Sequence, residues 1–260
     1  MPRPRLYASA AARQHAFRAR KRRDAVAPHV RCEQIGPHCT VYCCDWQTVW
    51  PLLPRQAAVV TDPPYEAGYD VSKARRRPSR WDRNFVGADQ PFDPTPWLQF
   101  PEVILFGADR YWDARLQGGA WVCWDKMAGQ DPGDYTPYEA IWFSMPGPMQ
   151  YFSQYWRGNR RAGEENYSRL PQKLHPAQKP VQLLQWLVEQ TTSPVVIDPF
   201  MGSGTTLAAC VRLGRPCIGV ELDPDYFAVA CDRLQQEVKA RKQLDLPVPR
   251  HREQTAQRSP

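Results

Sequence analysis

Short apolar runs, each ended by glycine, proline or a charged residue, recur along most of the chain after about residue 39. Runs of this length and composition predict buried β-strands rather than helices. The predicted strands are AAVVTD (57–62), EVILFG (102–107), AWVCWD (120–125), YEAIWFS (138–144), VVID (195–198) and CIGVE (217–221).

Helical spacing of apolar residues appears between and after the last strands. VQLLQWLVEQT (181–191) predicts an amphipathic helix, with Pro180 suited to its start. TTLAACVRLG (205–214) predicts a helix closed by Gly214, and Asp223-Pro224 opens another. Strand–helix–strand units of this kind predict an α/β fold, a Rossmann-like doubly wound sheet.

Three segments fall outside this pattern. Residues 1–31 contain nine Lys/Arg and one acid, and they predict a basic, disordered arm. Residues 239–260 predict a basic tail, which leaves 32–238 as the folded domain. Within that domain, about 145–174 is rich in Pro, Gly and Arg and has no clear periodicity. An irregular insertion of this length in a compact domain is expected to have a function.

The charge favours a polyanionic partner, since the net charge is +7 from 34 basic and 27 acidic residues. Basic termini alone could equally serve solubility.

None of the eight cysteines forms a Cys-x-x-Cys pair, which favours reduced thiols in a cytoplasmic protein. His29, Cys32, His38 and Cys39 match no common zinc spacing, so no metal is expected. No apolar run is long enough to predict a membrane span.

The segment DPFMGSGTT (198–206) predicts a ligand-binding loop. A buried strand carries Asp198 to its carboxyl end, where open α/β sheets bind ligands. Gly202 and Gly204 allow the backbone to approach a ligand closely, and Thr205 offers a hydroxyl. The next strand ends at Glu221, close to the spacing at which dinucleotide folds place an acid on ribose hydroxyls.

Three alternatives compete for this loop. A phosphate-binding P-loop needs a lysine after its last glycine, where Thr205 stands. A dinucleotide oxidoreductase needs a third glycine that is absent, and a strand–turn–helix without a ligand remains open. An adenosine-bearing ligand without a pyrophosphate fits best, and S-adenosylmethionine is such a ligand.

Asp62-Pro63-Pro64-Tyr65 follows a predicted strand directly, so its side chains emerge at the same edge of the sheet. The Asp62 carboxylate and a proline carbonyl can accept both N–H groups of an exocyclic amino group. Tyr65 can stack on a flipped base. Alone, the tetrapeptide could be a proline-rich turn with a capping Asp. Together with the glycine loop, it favours an amino-methyltransferase.

Six motifs carry a resemblance to a known family. They are TDPPY (61–65), FGADRYW (106–112), GGAWVCWDK (118–126), HPAQKPVQLL (175–184), DPFMGSGTT (198–206) and IGVELDPDYF (218–227). The chain resembles the S-adenosylmethionine-dependent N4-cytosine and N6-adenine DNA methyltransferases. The order, with the catalytic tetrapeptide first and the cofactor loop last, is similar to the circularly permuted β class.

The resemblance implies roles for individual residues. Asp45 would lie near the cofactor's adenine, although Cys44 replaces the usual preceding glycine, and Gln178, Lys179 and Pro180 would flank its methionine part. In that family an Asp at the first catalytic position accompanies adenine more often than cytosine. The remaining cofactor residues would be Asp198, Pro199, Phe200, Gly202, Gly204 and Thr205, with Glu221 on the ribose.

Two basic segments are expected to contact double-stranded DNA around a flipped base. The first follows the tetrapeptide and contains Lys73, Arg75, Arg76, Arg77 and Arg80. The second is the insertion, which the resemblance implies is the target-recognition segment. There Arg157, Arg160, Arg161 and Arg169 alternate with Tyr151, Tyr155, Trp156 and Tyr167. The aromatic residues could instead form a patch of core.

The leading hypothesis is a site-specific DNA methyltransferase that modifies N6 of adenine. We expect it in the bacterial cytoplasm, encoded by a bacterium or phage, as a monomer or homodimer of the kind found in restriction-modification systems. The alternatives are N4-cytosine or RNA methylation, a non-catalytic DNA-binding relative and, last, a small-molecule oxidoreductase.

Overall fold

The computed structural model describes residues 30–64, 92–111, 114–133, 136–157, 160–161 and 178–243, the last residues of the insertion for their backbone only. Several predictions fall outside these ranges. They concern Tyr65, the basic stretch 73–80, Tyr167, Arg169, most of the predicted arm and most of the predicted tail.

A single sheet of nine strands forms the centre of the described structure. Its order is β1-β2-β11-β10-β3-β4-β6-β5-β7, and β8 and β9 form a separate antiparallel pair. The strands are β1 (Arg31–Ile35), β2 (Cys39–Cys43), β3 (Ala58–Thr61), β4 (Glu102–Phe106), β5 (Ala120–Asp125), β6 (Tyr138–Phe143), β7 (Gln150–Ser153), β8 (Trp156–Arg157), β9 (Arg160–Arg161), β10 (Val196–Asp198) and β11 (Cys217–Glu221).

The middle of the sheet is parallel, which brings the carboxyl ends of five strands to one edge. β2, β11, β10, β3 and β4 run in the same direction. β6 is antiparallel to both of its neighbours, β4 and β5, while β7 extends the sheet parallel to β5. Open parallel sheets bind ligands at this carboxyl edge.

Both faces of the sheet are covered, as alternating strand residues require. The helices are α1 (Trp46–Val49), α2 (Val181–Glu189), α3 (Thr205–Leu213) and α4 (Pro224–Gln243). On one face, Val60 packs in a core with Leu184, Leu207 and Phe227 from helices α2, α3 and α4. On the other face, Val59 packs with residues such as Trp97 near helix α1.

The structure confirms the α/β fold, all six predicted strands and all three predicted helices. It also contains elements that the apolar pattern did not predict. β1 starts at Arg31, inside the segment assigned to the arm, and α4 continues to Gln243, past the predicted start of the tail at residue 239. Within the insertion, Gln150–Ser153 is a strand of the main sheet, so its first part is regular.

Candidate active site

The two predicted motifs meet at the carboxyl edge, because β3 and β10 are neighbours in the sheet. Asp62 follows β3 directly, and Asp198 is the last residue of β10. The hydroxyl of Thr61 donates a hydrogen bond to Asp198 Oδ1 across 2.7 Å. Residues far apart in sequence are thereby fixed beside one another.

The two oxygens of the Asp62 carboxylate have different surroundings. Oδ2 lies 2.8 Å from Lys179 Nζ, and the side chain is only 19% exposed. Oδ1 is buried and accepts no hydrogen bond from the part of the chain that the structure describes. Burial raises the pKa of Asp62 to about 6, against the opposing effect of the Lys179 ammonium. Pro63, which follows, is buried. The site therefore contains a carboxylate with one oxygen fixed and one available.

Lys179 joins Asp62 to a second carboxylate that sequence reasoning did not identify. Its Nζ lies 2.9 Å from Glu139 Oε1 and 5.1 Å from the centre of the Phe106 ring. Lys126 Nζ lies 3.7 Å from the other oxygen of Glu139. The only sequence signal for Glu139 was a single acid in an otherwise apolar strand, YEAIWF.

The glycine loop after β10 is held by two carboxylates, one buried and one partly buried. Asp198 is 3% exposed and accepts the N–H of Phe200 at 3.1 Å, and burial raises its pKa to about 6. Glu221, at the end of β11, accepts the N–H of Gly202 at 2.8 Å and of Asp223 at 2.8 Å. Burial raises the pKa of Glu221 to about 7 despite these two donors.

The loop also packs closely on helix α4. Gly204 has φ +74°, and a Cβ there would lie 3.3 Å from Cβ of Ala230. Arg233 of α4 donates to the Ser203 carbonyl at 3.2 Å and to the Thr205 hydroxyl at 2.9 Å. Arg233 was not predicted, since nothing in its own helix distinguishes it from a surface arginine.

The other predicted cofactor residues lie along the same edge. Asp45 is the N-cap of α1, and its carboxylate accepts the Gln47 N–H at 2.7 Å. The preceding Cys44 N–H donates to the Glu221 carbonyl at 3.0 Å, which fixes this turn beside β11. Pro199 is buried, and the ring of Phe200 makes an edge contact with Trp97 at 5.8 Å between centroids.

The side chains of the predicted DNA-binding lysines and arginines lie outside the part of the chain that the structure describes. Arg157, Arg160 and Arg161 lie on the β8–β9 pair, of which only the backbone is described for these residues. Trp156 is core, since it is 8% exposed and donates to the Gln178 carbonyl at 2.9 Å. Tyr151 is 62% exposed.

The remaining expectations concern metals, thiols and membranes. All eight cysteines are free. Among the described residues there is no group of three or more His, Cys, Asp or Glu that could hold a metal ion. Within the same ranges, no helix combines the length and apolar character needed to cross a bilayer.

Residues 125–232 match the family model of N6/N4 methyltransferases, described as DNA methylase. The match includes Lys179, Asp198 and Glu221, the residues that form most of the site around Asp62. This segment of the chain is therefore similar to the N6/N4 DNA methylases.

Individual relatives share shorter segments. The chain is 44% identical over 71 residues to YubD of Escherichia coli (strain K12), which is 26% of this chain and 31% of YubD. It is 42% identical over 65 residues to the type II methyltransferase M2.DpnII of Streptococcus pneumoniae, 24% of each protein. The chain thus covers less than a third of the length of either relative. Among solved structures, the M1.HpyAVI–SAM complex aligns with a TM-score of 0.47 and 23% identity, over 75% of this chain and 99% of the other.

Proposed function

We propose that this protein is a site-specific DNA methyltransferase that transfers a methyl group from S-adenosylmethionine to N6 of adenine. One observation carries the proposal. Asp62 Oδ2 is fixed by Lys179, while Oδ1 is buried without a partner among the described residues, at the edge that also holds Asp198 and Glu221. A buried acceptor without a donor is costly, so a substrate N–H group is its natural partner.

The chemistry of an exocyclic amino group explains why such an acceptor helps. The nitrogen is a poor nucleophile because its lone pair is delocalised into the ring. Asp62 Oδ1 and a proline carbonyl, as preorganised acceptors, would draw the nitrogen towards a tetrahedral shape and stabilise its developing positive charge. As the nitrogen–carbon bond forms, the sulfur–carbon bond breaks and its electron pair stays on sulfur. The methylated nitrogen then releases one proton, which the Asp62 carboxylate can accept.

The residues of the loop fit S-adenosylmethionine, which when bound supplies the methyl group. The Glu221 carboxylate has acceptor capacity beyond its two backbone N–H bonds, as ribose hydroxyls require. Phe200 is only partly buried, so part of its ring is available for the adenine. Asp45, Lys179 and Thr205 complete the proposed cofactor site.

Adenine is proposed because an Asp stands at the first catalytic position, which in the resembled family accompanies adenine more often than cytosine.

The proposed DNA contacts are the cations at 73–80 and Arg157, Arg160 and Arg161, since these basic residues flank the catalytic motif or occupy the insertion. A cytoplasmic role in a restriction-modification system, as monomer or homodimer, belongs to the same proposal. N4-cytosine or RNA methylation is the alternative within the same chemistry.

The deciding experiment compares the natural protein with Asp62→Ala. We expect the natural protein to methylate duplex DNA, and digestion of the product to nucleosides to yield N6-methyl-2′-deoxyadenosine. Asp62→Ala should bind S-adenosylmethionine in calorimetry with little change but lose at least about 100-fold in rate, the loss expected when a preorganised charge-stabilising group is removed.

The matched control is Glu189→Ala, which removes an exposed carboxylate at the last residue of α2, the end of that helix away from Lys179. Its rate should equal that of the natural protein. Full activity in Asp62→Ala would disprove the mechanism, and methylcytosine in the digest would correct the base. A natural protein that binds no cofactor would favour the non-catalytic alternative.

A further inference from the structure

Two ion pairs, both made by Lys179, connect the Asp62 carboxylate to Glu139, a residue outside the six motifs that carry the family resemblance. We propose that Glu139 is a positioning residue for methyl transfer, acting through Lys179 on Asp62. The inference rests on the proposed function, because it assigns a role within that same reaction.

The contacts come from three separate elements. Asp62 follows β3, Glu139 lies in β6, and Lys179 precedes α2, with its Nζ 2.8 Å from Asp62 Oδ2 and 2.9 Å from Glu139 Oε1. A lysine ammonium has three N–H donors on a flexible stem. With two anions contacting it from different strands, the ammonium has one preferred location, and Asp62 Oδ2 has one preferred partner.

Burial makes this arrangement depend on Glu139. The side chains of Lys179, Glu139 and Asp62 are 12%, 14% and 19% exposed. Buried ions need compensation, and removing one partner leaves the other charge uncompensated. Glu139 is itself balanced on its far side by Lys126, at 3.7 Å. Two anions and two cations therefore alternate, and the arrangement carries no net charge.

The consequence concerns the oxygen that faces the substrate. Because Lys179 fixes Oδ2, the plane of the Asp62 carboxylate is set and Oδ1 is left for the amino group. Without Glu139, the Lys179 side chain could adopt other conformations. Its ammonium would then shift, and the Asp62 carboxylate would rotate with it. A misplacement of about 1 Å at a reacting group can reduce rates by about 100-fold.

Glu139 also influences how readily Asp62 holds a proton. Its negative charge raises the pKa of Asp62, and Asp198 does the same, while Lys179 lowers it. Lys126 lies on the far side of Glu139, and burial together with the positive charges of Lys179 and Arg110 lowers the pKa of Lys126. Glu139→Gln removes one of the two neighbouring anions, so the pKa of Asp62 should fall. Since Asp62 acts as a carboxylate, the rise in rate with pH should move to lower pH.

The test measures single-turnover methyl transfer to duplex DNA by Glu139→Gln across pH, together with calorimetric binding of S-adenosylmethionine. We expect the rate to fall at least tenfold and the Kd for S-adenosylmethionine to stay within twofold of the natural protein. In the plot of rate against pH, the rising part at low pH (the acid limb) should move to lower pH. The matched control is Glu237→Gln, which removes a carboxylate paired with Arg212 at 2.7 Å on the outer helices. It should leave rate and profile unchanged.

A second measurement needs no turnover. Carbon-13 NMR of labelled aspartate side chains follows the titration of Asp62, assigned by comparison with Asp62→Asn. A lowered pKa in Glu139→Gln supports the coupling; an unchanged pKa with a rate within twofold of the natural protein overturns the inference. If the natural protein does not methylate DNA, the proposed function fails, and an unchanged pKa then also overturns the link between Glu139 and Asp62.

Glu139→Asp is a second variant that keeps the test valid if Glu139→Gln does not fold. It retains the charge on a shorter side chain, so the acid limb should stay in place while the rate falls less than in Glu139→Gln. Thermal melting identifies which of the two variants is folded. A Glu139→Asp rate below that of a folded Glu139→Gln would contradict positioning by the Glu139 charge.

Discussion

Glu221 is the residue at which pH should act on cofactor binding. Its carboxyl has a pKa of about 7 because burial outweighs the two N–H bonds that it accepts. In the proposed cofactor site, the ribose hydroxyls would donate their hydrogen bonds to the ionised carboxylate. Below pH 7 binding must first remove a proton, and each pH unit then costs up to a factor of ten.

We therefore expect calorimetry to show S-adenosylmethionine binding about tenfold more weakly at pH 6 than at pH 8. Glu221→Gln has no carboxyl to titrate at this position. It should bind more weakly at every pH and show a flatter pH dependence. An equally steep dependence in Glu221→Gln would assign the effect to another group.

At the residue scale, the sequence identified the candidate site residues that belong to short motifs. Asp62 follows a strand, Asp198 and Glu221 end strands, and their spacing from prolines or glycines predicted their roles. Glu139 and Arg233 reach the site only because β6 and α4 pack beside it. No local pattern marks them, so their contribution depends on the tertiary arrangement and could not be predicted.

The turn into β5 shows how closely one element can approach another. Gly118 and Gly119 both have left-handed backbones, with φ +72° and +71°. A Cβ at Gly118 would enter open space, whereas one at Gly119 would clash with the backbone carbonyl of Phe143 in β6. A backbone oxygen in a sheet cannot move aside without loss of strand pairing.

Gly118→Ala should lower the free energy of unfolding by about 1 kcal/mol, the cost of a left-handed alanine. Gly119→Ala has the same backbone cost and the clash in addition, so its loss should be larger by about 2 kcal/mol or more. Chemical denaturation of both proteins measures the difference. Equal losses would show that β5 and β6 can separate to accommodate the methyl group.

At the element scale, the apolar runs predicted six strands of the main sheet and missed three. β1 and β7 were missed because they lie at the edges of the sheet, where one side is exposed and the alternation is weak. β2 was missed although four of its five residues are buried, because its sequence, CTVYC, is not a continuous run of strongly apolar residues. α1 was missed because a helix of four residues has no measurable periodicity. Weak patterns therefore occur at the edges of the fold and also in one buried strand.

The charge of the whole molecule predicts a strong salt dependence of DNA binding. Each phosphate contact adds about 0.9 to the slope of log affinity against log salt concentration. Replacing Lys73, Arg75, Arg76, Arg77 and Arg80 with glutamine should therefore reduce the slope by about 2 or more. Fluorescence anisotropy at several salt concentrations measures it.

Arg55→Gln provides the control for this series. Arg55 lies before β3, at the end of that strand away from the site, with its guanidinium 4.1 Å from the centre of the Trp50 ring. Its replacement should leave the slope unchanged. An unchanged slope in the multiple variant would place the DNA on another surface.

The order of strands in the sheet also determines when the protein can fold during synthesis. β2 and β3 are made early, but they are not neighbours, since β11 and β10 lie between them. Until the ribosome has released residue 221, a growing chain exposes the unpaired edges of both early strands. The bond from Thr61 to Asp198 closes a loop of 137 residues at that moment. Chaperones that shield open strand edges should therefore be needed mainly until residue 221 has emerged.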